Sequence, residues 1–143
     1  MQKDMFKWTE GMSVGVRELD EQHKHLFGLI DELITLVDEG PENAHDRLVF
    51  LMGGIINYNL YHLNTEEEYM EKFDCTSATH LGAHDYYRNA IREKLKKAEI
   101  KKDGRRSREL YRELGIFAGH WHIEHILTLD KKYTNCFHEH GLY

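Results

Sequence analysis

The chain has 143 residues, 31% of them charged and 41% apolar, with a formal net charge of −6. This suits one domain with one core and excludes a disordered chain. One proline and the lack of alternating apolar runs argue against a sheet-rich fold.

Residues 1 to about 18 read as an irregular arm, with Gly11 and Gly15 as breakers and Phe6, Trp8, Met12 and Val14 able to pin it to a core. Asp20 is a candidate N-cap for a first helix. Its apolar stripe is Leu26, Phe27, Ile30, Leu33, Ile34 and Val37, and His23 belongs to that stripe. His25 falls off it. Gly40-Pro41 ends the helix.

A second helix is expected from about Glu42 to Phe73, with Leu48, Leu51, Met52, Ile55, Ile56, Asn59, His62, Glu66 and Met70 on one face. Gly53-Gly54 costs roughly 1 kcal/mol per residue in helix propensity, which suggests close approach by another helix. Thr76 or Ser77 can cap a third helix, whose inward face is His80, His84, Tyr87, Ile91 and Leu95. Residues 100–107 form a charged connection containing Gly104. The fourth helix carries Leu110, Leu114, Phe117, Trp121 and His125 on one stripe, and the tail beyond about Tyr133 has no clear pattern. Four amphipathic helices with short connections imply an all-α, up-down-up-down four-helix bundle. The arm covers about 1–18, the helices about 19–133 and the tail about 134–143, in a single domain over 1–143.

No stretch approaches the roughly 18–20 apolar residues of a membrane span, and the N-terminus lacks the apolar run of a signal peptide. A cytoplasmic protein without a membrane partner is expected. Cys75 and Cys136 fit no metal-binding or redox pair and read as free thiols. Lys94 to Arg108 is basic without interleaved aromatics, so it reads as a solvated helix end rather than a nucleic-acid site.

Eleven histidines are the exceptional feature. His62 and Glu66 are four residues apart, as are His80 and His84, a spacing that stacks two side chains on one helix face. His23 adds an imidazole from the first helix; His125 and Asp130 add an imidazole and a carboxylate from the fourth. One such histidine alone reads as an ordinary hydrogen-bonded core residue. Seven buried polar groups together would each need a partner, at several kcal/mol apiece, and a metal cluster satisfies them all. Seven ligands exceed one tetrahedral ion, so two ions are implied. Two octahedral ions offer twelve positions. Five imidazoles, two bridging carboxylates and one bridging solvent oxygen fill eleven, leaving one for a small ligand. Both carboxylates must bridge for this to hold.

Asp130 presents a problem of phase. Five residues turn through roughly 500°, so on a regular helix it lies about 140° from His125. A local distortion between them, of the π-bulge type, is expected.

The chain resembles the hemerythrin family, and single-domain bacteriohemerythrins in particular, over nearly its whole length. The resemblance rests on Trp8 with Val-Gly-Val-Arg-Glu-Leu-Asp-Glu-Gln-His-Lys, on His62-Leu-Asn-Thr-Glu66-Glu67-Glu-Tyr-Met70, on His80-Leu-Gly-Ala-His84, and on Trp121-His-Ile-Glu-His125-Ile-Leu-Thr-Leu-Asp130-Lys-Lys-Tyr. It implies a non-heme di-iron centre that binds O2 reversibly, for carriage, storage or sensing. Its cofactor would be two iron ions bridged by oxo or hydroxo and by two carboxylates. By position, His80, His84 and His125 would hold a six-coordinate iron, His23 and His62 the five-coordinate iron that receives O2, and Glu66 and Asp130 would bridge. No catalytic residue is assigned, so an O2-binding protein is expected rather than an enzyme. The alternatives are a di-iron peroxidase, ferroxidase or nitric oxide-handling protein, or an iron store. A monomer is favoured, and a sensing role would require a partner protein. Two departures from the family pattern stand out: Leu63 replaces a common phenylalanine, and Phe73-Asp74-Cys75 replaces a common tyrosine-proline. His120 and Glu124 imitate the His62–Glu66 spacing but are expected on the outer face, and His45, His122, His138 and His140 are expected in solvent. Glu67 is expected to hydrogen-bond a ligand histidine.

Overall fold

The computed structural model describes residues 5–100 and 104–143. Four long helices, α1 (Arg17–Glu39), α2 (His45–Lys72), α3 (Ala78–Ile100) and α4 (Gly104–Thr128), form the up-down-up-down bundle. A 3-10 turn over Asp130–Tyr133 follows, then a short helix α5 (Thr134–Glu139). Helix α1 packs on α2 and α4, and α3 packs chiefly on α4. None of the described helices is long and apolar enough to cross a membrane. Of the connection expected at 100–107, residues 101–103 lie outside the described residues, as do residues 1–4 of the arm. Helix is already present from Gly104.

Alternating helix direction brings the N-terminal halves of α1 and α3 and the C-terminal halves of α2 and α4 to one end. The inward histidines sit in those halves. The opposite end is an apolar core that includes Leu33, Ile34, Leu48, Met52, Ile91 and Leu114. Arg108 closes it by donating to the carbonyls of Leu36, Val37, Gly40 and Pro41 at the C-terminal end of α1 and the turn after it.

Asp20 does not cap α1. The helix begins three residues earlier, with Val16 as its uncapped N-cap residue. From inside the first turn, the Asp20 carboxylate accepts from Val14 N at 2.9 Å and from Ser13 Oγ at 2.6 Å. It ties down the arm rather than the helix. Ser77 does cap α3, accepting from His80 N at 3.0 Å.

The tail is ordered for a reason the pattern did not carry. Cys75 and Cys136, expected as free thiols, form a disulfide with Cα atoms 5.9 Å apart. It joins the α2–α3 turn to α5, with Phe137 buried beside it. Arm and tail are also joined. Thr134 Oγ1 donates to Val14 O at 2.6 Å, and His138 Nε2 donates to Gly15 O at 2.7 Å. Half-buried His138 is therefore not a solvated residue. Gly15 has φ +74°, and a Cβ there would lie 2.8 Å from Thr134 Cγ2, so glycine answers both the backbone and the space.

Gly53-Gly54 is not a point of close approach. Both residues are exposed, and a Cβ on either would meet nothing within 4 Å. The close approach is on α4 instead. A Cβ on Gly119 would lie 2.5 Å from the Phe6 ring, and one on Gly115 would lie 3.0 Å from Leu33.

Candidate metal centre

The seven side chains singled out in the sequence converge on one end of the bundle in two groups, all of them buried. The first is His80 and His84 from α3, His125 from α4 and Asp130 from the 3-10 turn. His125 Nε2 lies 3.1 Å from His80 Nε2 and 3.0 Å from His84 Nε2. Asp130 Oδ1 lies 2.9 Å from both His80 Nε2 and His125 Nε2. The second group is His23 from α1, His62 and Glu66 from α2, and Asp130 again. His23 Nε2 is 3.3 Å from Asp130 Oδ2, and His62 Nε2 is 2.6 Å from Glu66 Oε1. Asp130 thus presents one oxygen to each group. Glu66 belongs to the second group only.

The distortion expected before Asp130 is present, but it is not a π-bulge. Leu129 N still bonds His125 O at 2.8 Å, an α-type step, whereas Lys132 N bonds Leu129 O at 3.0 Å, a 3-10 step. The helix ends at Thr128, and the chain tightens instead of widening. Asp130 is therefore no longer bound by the helical phase of α4, and the turn that carries it leaves its side chain at 0% exposure between the two groups.

These atoms fit a metal better than they fit one another. His23 Nε2, His62 Nε2, both Glu66 oxygens and both Asp130 oxygens are buried with no hydrogen-bond partner among the described residues. Unsatisfied groups of this kind are costly, and six of them in one place need a common partner. Two ligands at right angles about an ion, with bonds of about 2.1 Å, are about 3 Å apart, which matches the spacing within the first group.

The outer ring nitrogens set the tautomers. His84 Nδ1 donates to Glu67 Oε2 at 2.6 Å, and Arg88 holds that carboxylate at 2.8 Å. His62 Nδ1 donates to Gln22 Oε1 at 2.6 Å. Each leaves Nε2 unprotonated and aimed inward, as a metal-binding imidazole requires. Trp121 stacks on His125 at 4.3 Å and Tyr133 on His80 at 5.7 Å, fixing the ring planes.

Burial is the largest influence on the His84 imidazole and, with the neighbouring histidines, brings its pKa down to about 3. Burial opposes charge on Asp130, but the imidazoles of His125, His23 and His80 gathered around it outweigh that and hold the carboxyl well below its usual range. His62 is raised despite its burial, because Glu66 stands beside it. The Tyr133 phenol lies near Glu66 without a well-formed hydrogen bond, and burial raises it well above the usual tyrosine range.

Gln22, Asn59 and His122 have roles that sequence reasoning missed. His122, expected in solvent, is 1% exposed, and its Nε2 lies 2.6 Å from Asn59 Oδ1. The buried face of α4 runs through Leu114, Ala118, His122 and Ile126, one position beyond the stripe drawn through the half-buried Phe117 and Trp121. Small residues at 115, 118 and 119 gave that face little hydrophobic weight. His120 and Glu124 are exposed, as expected, and so are His25, His45 and His140.

The Hemerythrin HHE cation binding domain matches residues 14–135. This chain belongs to the hemerythrin family. It is 24% identical over 133 residues to a bacteriohemerythrin of Clostridium acetobutylicum, covering 92% of this chain and all of that protein. A hemerythrin-like protein of Naegleria gruberi is 28% identical over 131 residues, 90% of each chain. Among solved structures, a wild-type hemerythrin superposes with a TM-score of 0.69 at 22% identity, over 91% of this chain and 95% of that one. The family's domain is a cation-binding one, and the two buried groups are this chain's candidate metal-binding groups.

Proposed function

We propose that this hemerythrin binds O2 reversibly at a di-iron centre held by His23, His62, Glu66, His80, His84, His125 and Asp130. The carrying observation is the asymmetry of the two groups. One has three imidazoles and the shared Asp130; the other has two imidazoles, Glu66 and the shared Asp130. The side with fewer imidazoles is where a small ligand would enter. Iron bound there would supply the electrons that O2 takes up and returns.

The protein's own part is to hold neutral Nε2 atoms in place, through Glu67 and Gln22, and to exclude water. Binding is favoured over turnover because ionisable buried groups close to the ligands are poorly suited to proton transfer at neutral pH. Burial raises both Tyr87 and Tyr133, so each phenol keeps its proton.

Elemental analysis and an anaerobic-to-aerobic absorption spectrum test the reading. About two irons per chain and a visible band that appears with O2 and disappears on its removal are expected. Irreversible conversion to a ferric form would count against carriage, and peroxide turnover would favour the enzymatic alternative.

A further inference from the structure

Among the described residues, His122 is the buried histidine outside both ligand groups. It sits on α4, one turn before His125. Its ring meets His62 edge to face at 6.2 Å. It therefore stands beside the second group, on the side that is one imidazole short.

Its hydrogen bonding is directional. Asn59 Nδ2 donates to Tyr87 Oη at 2.7 Å, which leaves Asn59 Oδ1 to face His122 Nε2 at 2.6 Å. An amide oxygen only accepts, so Nε2 carries the proton. A buried imidazolium would need an acceptor at both ring nitrogens and Nδ1 has none among the described residues, so the ring is neutral. A neutral ring protonated at Nε2 presents a bare lone pair at Nδ1. That atom is buried and has no partner among the described residues. Tyr87 and Asn59 thus fix the tautomer, and its unsatisfied end is an acceptor.

We infer that His122 Nδ1 accepts a hydrogen bond from a small oxygen ligand bearing a proton at the second ligand group, and so favours such ligands over aprotic anions. The inference rests on the di-iron reading. An O–H group pairs with the lone pair of Nδ1. An aprotic anion sets its own lone pairs against it and gains nothing. His122 is a specificity-determining residue here; it holds no metal.

The test uses iron-loaded, oxidised full-length protein with two probes read by absorption: hydroxide, added by raising pH, which carries a proton, and sodium azide, which does not. In His122→Leu, hydroxide binding should move up by about half a pH unit, while azide should bind about threefold more tightly. Loosened packing alone would move both affinities the same way. His122→Phe keeps a ring without an acceptor and should behave like His122→Leu, and it serves if the leucine variant fails to fold. His122→Gln retains an acceptor and should restore part of the preference. In the zinc-loaded, diamagnetic protein, 15N shifts should place the His122 proton on Nε2. A proton on Nδ1, or probe shifts that are absent or in one direction, would overturn the role of His122 and leave the di-iron reading intact. Wild-type protein that takes up no iron, or binds neither probe, would overturn both.

Discussion

Helices α2 and α4 each deliver candidate metal ligands to the same end of the bundle, by opposite means. Helix α2 runs unbroken from His45 to Lys72, and its pair His62 and Glu66 stand four residues apart on one face. Helix α4 delivers His125 from its last turns and then stops at Thr128, so that Asp130 arrives from a 3-10 turn. A regular helix can serve one ligand group. The break in α4 lets one carboxylate serve both, with Oδ1 toward His80 and His125 and Oδ2 toward His23. Periodicity places candidate ligands along a face, and interrupting it places one carboxylate between the two groups.

The largest expected effect tests that difference directly. Asp130→Ala should reduce bound iron from about two per chain to less than one, because both groups lose an oxygen. Glu66→Ala should mainly empty the second group and leave about one iron held by His80, His84 and His125. Loss of an outer partner already costs about 10–100-fold in affinity, and loss of a direct ligand should cost more. Elemental analysis after dialysis reads both variants. Equal retention in the two would remove the distinction between a local ligand and a shared one.

The next effect concerns what holds the break in place. Helix α5 follows the 3-10 turn without a gap and is tied by Cys75–Cys136 to the exit of α2, across 61 residues. A loop of that length implies roughly 4 kcal/mol of stabilisation on chain entropy. Cys136→Ser, or reduction by a dithiol, should therefore lower the unfolding midpoint on the order of 10 °C by calorimetry. If α2 needs only its own regularity, His62 and Glu66 should stay in register while Asp130 loosens, so the first iron should weaken along with the second. Unchanged thermal stability would show that the arm contacts to Thr134 and His138 suffice to anchor the tail.

The same contrast explains how much could be read in advance. His62 with Glu66, and His80 with His84, were legible because a helix repeats, and four helices were legible from their apolar stripes. The apolar stripes also carried His23 and His125, with Asp130 taken beside His125 against its helical phase, and the family motifs gave all seven their places. The phase of α4 was misread by one position because Gly115, Ala118 and Gly119 bury backbone rather than hydrophobic bulk, so the stripe seemed to run through Phe117 and Trp121. His122 was lost with it. The disulfide and the arm-to-tail hydrogen bonds join residues 61 to 123 apart in sequence, a separation no local pattern encodes. The distortion before Asp130 was inferable from the conflict of phase, but its form was not. A bulge within the helix and an end to the helix both release Asp130 from the phase of His125, and only the hydrogen bonds tell which.

The smallest expected effects come from glycines, where α2 and α4 should respond with opposite signs. Gly119 on α4 lies under Phe6, and an added Cβ would fall 2.5–2.7 Å from three ring carbons. An aromatic ring with 1% exposure has little room to move, so Gly119→Ala should destabilise by about 1–3 kcal/mol. On α2, Gly53 and Gly54 are exposed mid-helix with open space around any added Cβ. Alanine there restricts the unfolded chain and meets no neighbour, so each substitution should stabilise by about 0.5–1 kcal/mol. Denaturant unfolding of the three single variants measures the signs. Destabilisation at Gly53 or Gly54 would restore the reading that something packs closely on this face of α2. Stabilisation would mean that α2 tolerates two poor helix formers because its ligand end is secured by His62, Glu66 and the core, not by its own propensity.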